Sequence, residues 1–254
     1  MPDVRTFSAG SYRFIPSVFQ YSAGVAALPG YAIVRETFLK PKPVKAGFAL
    51  IAERLKAQGL PLQNFCACEL RSPGQFDDAG FRAFNETYIL TLNDWGIMDS
   101  SRVNPVARSN VCPEFDAPPE PSFHAFSYVV PDTDQTQASC VISGSAEARP
   151  PKSDNELYRD RIVRYGQTKP DAIAEKVAYV MGVMEQRLAA FRLTWNDSTA
   201  VQAYSVHDFH DTMNAMAPLF ASIRGLTWHY ARPPVVGLEY EMDCRAVHCE
   251  LTHA

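Results

Sequence analysis

The chain has 254 residues, 46 % of them hydrophobic, and a formal net charge of -4 from 24 Lys+Arg against 28 Asp+Glu. That length suits one large domain or two small ones, and the hydrophobic share excludes a disordered chain. The mildly acidic balance, with no Lys/Arg run to track a phosphate backbone, argues against a nucleic-acid partner. No apolar stretch approaches the roughly 20 residues that span a bilayer, so no membrane partner is expected. Residues 1–12 lack a basic region followed by an apolar run, so a cytoplasmic location is expected. Cys66, Cys68, Cys112, Cys140, Cys244 and Cys249 do not space like a zinc site or a disulfide framework and read as small buried thiols.

In chain order, residues 21–34 are strand-like and broken by Pro29-Gly30. Residues 44–58 predict a helix, because Val44, Phe48, Ile51 and Leu55 recur every three or four positions and Gly59 closes the run. Residues 65–70 predict a strand. Asp77 can cap a second helix running to about Leu92, with Phe81, Phe84, Tyr88 and Leu92 on one face. Strands at 106–112 and 123–130 follow. The polar, turn-rich stretch 131–138 reads as a linker. After it the pattern restarts, with strands at 139–147, 200–205, 226–231 and 238–247 and helices at 169–191 and 208–221.

The two halves align at several anchors. Arg54-Leu55 falls on Arg187-Leu188 and Phe76 on Phe209, both at an offset of 133 (187 − 54 and 209 − 76). Pro118-Pro119 falls on Pro233-Pro234 at an offset of 115 (233 − 118), and Ser22-Ala23-Gly24 resembles Ser143-Gly144. The expectation is a duplicated α+β chain, with an N-terminal unit at 1–130 and a C-terminal unit at 139–254. Each unit is a mixed sheet with two helices on one face.

The second helix of the first half reads Phe81-Arg-Ala-Phe-Asn85-Glu-Thr-Tyr88, and the next strand Asn104-Pro-Val-Ala-Arg108-Ser-Asn-Val111. This pairing resembles the reactive-intermediate deaminase (Rid, or YjgF-like) family. The resemblance covers about residues 20–128 and is fainter in the second half, where Ser143-Gly144 and Glu239-Tyr-Glu241 are the better matches. Among two-domain relatives the chain resembles deaminases of 2-aminomuconates, chlorinated ones included. The resemblance implies a chorismate-mutase-like fold, a homotrimer with clefts between protomers, and hydrolysis of an enamine or imine that carries a carboxylate. It implies no cofactor and no metal.

Arg108 is the first candidate site residue. A guanidinium is permanently charged and its planar fork matches a carboxylate, and in the family the matching Arg holds the substrate carboxylate. Enamine hydrolysis then needs tautomerisation to the imine, a placed water and a proton for the departing ammonia, which positioning and one acid/base group can supply. The 115 offset sets His124 opposite Glu239, so both are acid/base candidates, with Glu241 as an alternative to Glu239. Asn85 is expected to orient substrate or a strand backbone. Ser22, Gly24, Ser143 and Gly144 are expected to bring backbone N–H groups near it. Cys112 lies on the same strand face as Arg108 and reads as a packed thiol beside the substrate. The same offset puts Ile223 where Arg108 stands, with Arg224 one residue out of register, so the second half is expected to add walls, with Trp228 and His229 as candidates. His207-Asp208-Phe209-His210-Asp211 reads as a capped helix start ahead of a metal site.

The main expectation is a deaminase of a muconate-type dicarboxylate in ring-cleavage catabolism, with Arg71 or Arg35 as the contact for the distal carboxylate. A broad scavenger of 2-imino acids needs only Arg108 and a small pocket. A non-catalytic ligand-binding module stays open because the second-half Arg is lost. A nuclease is disfavoured by the acidic balance.

Overall fold

The periodicity of residues 44–58 is realised as α1 (Val44–Ala57), which buries Phe48, Ile51 and Leu55 on one side. Asp77 does cap α2 (Asp78–Asp94), its carboxylate accepting the Gly80 N–H at 2.7 Å. α4 (Pro170–Ala190) starts on a proline, where the missing N–H costs nothing, and buries Val177, Val180, Met184 and Leu188. A short α3 (Tyr158–Arg161) precedes it. The coordinates are a computed structural model that describes residues 2–134, 136–150, 152, 156–212 and 225–253. Most of the predicted helix 208–221, and the positions Ile223 and Arg224, lie outside the described residues.

The strands of the first half are β1 (Arg5–Phe7), β2 (Tyr12–Ile15), β3 (Gly24–Ala27), β4 (Tyr31–Pro43), β5 (Phe65–Arg71), β6 (Ala107–Pro113) and β7 (Ser122–Pro131). Those of the second half are β8 (Cys140–Ala146), β9 (Ala200–Tyr204), β10 (Leu226–His229), β11 (Ala231–Arg232), β12 (Glu241–Ala246) and β13 (Cys249–His253). They form a mixed α+β protein with two sheets, ordered β11-β6-β5-β7-β4-β13 and β1-β2-β3-β8-β12-β9-β10. The same four-strand pattern stands in both. β5 pairs parallel with β6 and antiparallel with β7, which pairs antiparallel with β4. β9 pairs parallel with β10 and antiparallel with β12, which pairs antiparallel with β8.

The sheets do not sort by the two halves of the sequence. β3 pairs with β8, which carries β1–β3 into the second sheet, while β11 and β13 add to the two edges of the first. The predicted strand 226–231 is in fact cut at Tyr230, and its two pieces join different sheets. The predicted strand 238–247 begins only at Glu241.

Helices α1 and α2 lay Phe48, Ile51, Tyr88 and Leu92 on Phe65, Leu70, Phe123 and Phe126 of the first sheet. Helix α4 packs on Ile142, Val201, Ala203 and Met242 of the second. Each of the larger of these side chains contributes about 1.5–3 kcal/mol on leaving water. A third cluster, including Phe14, Val25, Ile33, Ala67, Ala107 and Val129, joins the sheets face to face. Polar groups fill the rest of that interface. Arg35 takes Glu69 with two nitrogens at 2.6 and 3.0 Å and Glu250 at 2.9 Å. Asp243 accepts from Ser109, Gln202 and Tyr204 at 2.6, 2.8 and 3.0 Å.

Pairing also resets the alignment of the halves. Glu69 stands beside Ala125 and Gln202 beside Asp243. Glu69 to Gln202 keeps the offset of 133 (202 − 69), but Ala125 to Asp243 is 118 (243 − 125), not 115. His124 lies at the bulge between the Glu69–Ala125 and Leu70–Phe123 pairs, and since Leu70–Phe123 matches Ala203–Met242, it falls between Met242 and Asp243 and not on Glu239. No described helix is long and apolar enough to cross a membrane.

Candidate active site

A cavity of about 410 Å³ lies where β6 of the first sheet meets β8 of the second, within the ~300–1,000 Å³ usual for small-molecule sites. β6 supplies Arg108 and Asn110, the turn before β3 supplies Tyr21, β8 supplies Gly144, α3 supplies Tyr158 and Arg161, α4 supplies Tyr179 and Arg187, and β12 supplies Glu241. The lining holds four arginines (Arg108, Arg149, Arg161 and Arg187) against one carboxyl group, Glu241. None of the four has a carboxylate within ion-pairing distance among the described residues. Such a surface favours an anionic ligand.

Arg108 is almost fully buried. Its Nη2 donates to Asn85 Oδ1 at 2.6 Å, and Asn85 is itself anchored by donating to the Phe81 carbonyl at 2.7 Å. The guanidinium lies 4.7 Å from the Tyr88 ring centroid and 5.3 Å from that of Tyr21, where aromatic faces stabilise a cation. Arg108 Nη1 is buried without a hydrogen-bond partner. An unmet charged donor in a cavity is costly until a ligand accepts from it. Asn85 does not line the cavity, so it holds Arg108 instead of touching a ligand.

Ser22, Ser143 and Gly24 also act on the frame. The Ser143 hydroxyl donates to the Ser22 carbonyl at 2.6 Å and accepts the Arg108 backbone N–H at 3.1 Å, fixing β6 to β8. The Ser22 N–H goes to Val106 and the Ser143 N–H to Ala23, so neither is free for a ligand. A Cβ on Gly24 would stand 3.0 Å from Ile142 Cδ1 and 3.2 Å from the Val141 carbonyl, so its absence lets β3 approach β8. Gly144 alone of the four lines the cavity. A Cβ there would collide with Glu241 Oε1, so the glycine makes the notch into which that carboxyl group fits.

Glu241 is buried, its backbone paired with β8 and β9, and its carboxyl group makes no hydrogen bond among the described residues. Burial pushes its carboxyl well above the usual carboxylate range; nearby Asp243 adds to the rise and Arg71 and Arg108 oppose it. That direction favours the proton-donating form. A neutral carboxylic acid in a cavity whose other charged groups are arginines can give a proton to a bound anion and take one back.

The other expected residues lie off the cavity. Glu239 precedes β12 and contacts His207 at 2.7 Å and Arg232 at 3.5 Å. His124 sits on β7, where burial and then Arg71 pull its ring down to about 4, so it is neutral near pH 7. Burial pushes the Cys112 thiol up to about 12, which makes it a packing group. Arg71 donates to the Leu70 carbonyl and faces Glu69 and Tyr204, and Arg35 is committed to Glu69 and Glu250. Trp228 Nε1 donates to the Ser205 carbonyl and its ring packs on Phe209, and His229 bonds Gln202 and stacks on Tyr204.

Sequence reading missed Tyr21, Tyr158, Arg161 and Arg187. For Arg187 a signal existed. Its counterpart Arg54 meets Glu36 at 2.7 Å. Pairing sets Glu36 opposite Phe126 and, at the same place in the second sheet, Ile142 opposite Cys244. The second half thus keeps the arginine and replaces its acid by an apolar side chain, and Arg187 donates instead to the Ser143 and Gly144 carbonyls at the cavity wall.

Two facing sheets that enclose a cavity lined by four arginines and one buried carboxyl group define an α+β protein with a small-molecule site. Comparison with known proteins gives the reaction class: the chain belongs to the 2-aminomuconate deaminase family, whose description, 2-aminomuconate deaminase CnbZ, matches residues 4–251. The 2-amino-5-chloromuconate deaminase of Comamonas testosteroni is 47 % identical over 247 residues, covering 96 % of this chain and 97 % of that one. The chain is thus a deaminase, an enzyme acting on a C–N bond. Among solved structures, a chorismatase overlays 91 % of this chain and 78 % of its own at 11 % identity, with a TM-score of 0.42.

Proposed function

We propose that this chain hydrolyses 2-aminomuconate-type dicarboxylates, chlorinated or not, to a 2-oxo acid and ammonia without a resident cofactor. The observation that carries the reading is that one cavity holds both Arg108, with an unmet buried donor, and the buried acid Glu241. The family and the chloromuconate relative support the substrate class.

In this reading Arg108 binds the carboxylate next to the C–N bond and fixes the enamine plane. Glu241 gives its proton to the enamine β-carbon, and the C=C pair becomes the new C–H bond, leaving an iminium ion. The Glu241 carboxylate so formed faces that cation and takes a proton from water as its oxygen bonds to the iminium carbon. It returns the proton to nitrogen, the C–N bond breaks, and as ammonia leaves and the C=O forms the carboxylate takes up the hydroxyl proton, which restores the neutral acid. The sum is enamine plus water to 2-oxo acid plus ammonia. A protonated imine is electrophilic enough that positioning and one acid/base group suffice.

The Rid resemblance and a tandem duplication belong to the same proposal. The Phe81-to-Tyr88 and Pro105-to-Val111 motifs, together with the repeated four-strand order, support them. On that basis we also propose a trimeric assembly in the cytoplasm.

The test is ammonia release from freshly generated 2-aminomuconate, beside a small 2-aminoacrylate-type enamine. The expected result is turnover of the dicarboxylate, lost by at least ~10²-fold in Arg108→Ala with the fold intact. Turnover mainly of the small enamine would replace this reading with a scavenger. Silence on both would leave a binding module.

A further inference from the structure

Arg187 and Arg161 have no place in the chemistry above, yet both line its cavity. They come from different helices and neither meets a carboxylate among the described residues. Arg187 spends Nη1 on two backbone carbonyls, at 2.9 Å to Ser143 and 3.4 Å to Gly144. Arg161 spends Nη1 on the Arg149 carbonyl at 2.8 Å, lies 4.2 Å from the Tyr158 ring centroid, and keeps a buried Nε without a partner. Arg187, Arg161, Arg108 and Glu241 all line the same cavity as the Tyr21 ring.

We propose that Arg187 and Arg161 form a second carboxylate subsite, separate from Arg108, that takes the far carboxylate of the dicarboxylate and so selects it over monocarboxylate enamines. The assignment rests on the deaminase reading for the identity of the substrate but not for the existence of the subsite. It replaces Arg71 and Arg35, whose nitrogens are engaged elsewhere. Carbonyl contacts orient the Arg187 fork without neutralising it, so its charge stays available to a ligand. Burial also eases the Arg187 guanidinium below its ordinary value, the mark of a cation that lacks a full counter-charge.

The test separates the subsite from the chemistry by using ligands without an amino group. Calorimetric titration compares muconate with 2,4-hexadienoate, which has the same carbon chain and one carboxylate fewer. The wild type is expected to bind muconate at least tenfold more tightly. Arg187→Gln is expected to abolish that preference and leave hexadienoate affinity within twofold. Arg187→Lys retains part of it, and Arg161→Gln loses most of it. Circular dichroism and melting check each fold, and the lysine variant keeps the test alive if Arg187→Gln fails to fold. Equal loss for both ligands, an unchanged muconate preference, or no muconate binding by the wild type would overturn the subsite. A wild type that prefers muconate but releases no ammonia from 2-aminomuconate would sink the deaminase mechanism and leave the subsite standing.

Discussion

Two residues carry opposite duties in the cavity, and their surroundings decide which. The Arg108 guanidinium is held between aromatic faces and the Asn85 carbonyl oxygen. Glu241 stays neutral because burial disfavours its anion more than Arg71 and Arg108 favour it. Glu241→Gln keeps the volume and removes the titration, so ammonia release is expected to fall ~10²–10⁴-fold. The sign of the pH effect follows from the raised value. The contribution of the protonated carboxyl to stability is complete below the ordinary value of an unfolded-state Glu and is lost as pH rises through the raised folded-state value. Wild-type kcat/KM is expected to fall on that same alkaline limb, and the glutamine variant is expected to lose less stability between pH 5 and pH 9 in urea titrations. A variant with wild-type kcat would remove Glu241 from the chemistry. Arg108 was legible because a motif surrounds it. Glu241 stood only as an alternative to Glu239, since the start of β12 at Glu241 depends on pairing with β8 and β9 that one strand's sequence does not encode. Arg161 carried no signal at all, because its four-residue helix has no periodicity to read.

Elements with their own periodicity were legible to within a residue or two, as α1, α2, α4, β5 and β9 show. Those held by a distant partner were not. β1 and β2 are short strands whose place is set by β3 and β8, and β13 is defined by a parallel pairing with β4 some two hundred residues earlier. The same long-range logic governs how Glu241 is aimed. Glu147, at the end of β8, accepts the N–H groups of Glu239 at 2.7 Å and Tyr240 at 3.1 Å, and Lys176 of α4 pairs with it at 3.1 Å, both side chains fully buried. The helix, β8 and the entry to β12 are thus tied at one point two residues before the acid. Lys176→Met leaves the buried Glu147 carboxylate without its cation and is expected to cost about 3–5 kcal/mol in chemical denaturation. Glu147→Gln in the same chain removes the stranded charge and is expected to recover more than half of that loss. If the single and double variants melt alike, the pair does not hold the entry to β12.

At the scale of the whole molecule, exchange of strands makes the two sheets one structure. The first sheet borrows β11 and β13 from the second half, and the second sheet borrows β1–β3 from the first. Phe14 and Val25 on the borrowed strands bury against Ile33, Ala67 and Val129 between the sheets, and Glu250, which Arg35 of the first sheet holds, also pairs with Arg245 of the second at 2.9 Å. Although burial works to raise it, Arg35 holds Glu69 well below the usual carboxylate range, so this charge cluster persists in mild acid. A piece ending at residue 138 would lose β11 and β13 and leave the apolar faces of β2 and β3 in water, and a piece starting at 139 would leave β8 with an open edge. The full chain is therefore expected to unfold in a single transition, with equal calorimetric and van't Hoff enthalpies, and neither piece is expected to fold alone. Because Arg108 comes from the first sheet and Glu241 from the second, ammonia release should vanish along the same curve as far-UV circular dichroism. Two resolved transitions, with activity lost in the first, would mean that the sheets separate before they unfold and that the cavity opens along the β6–β8 seam.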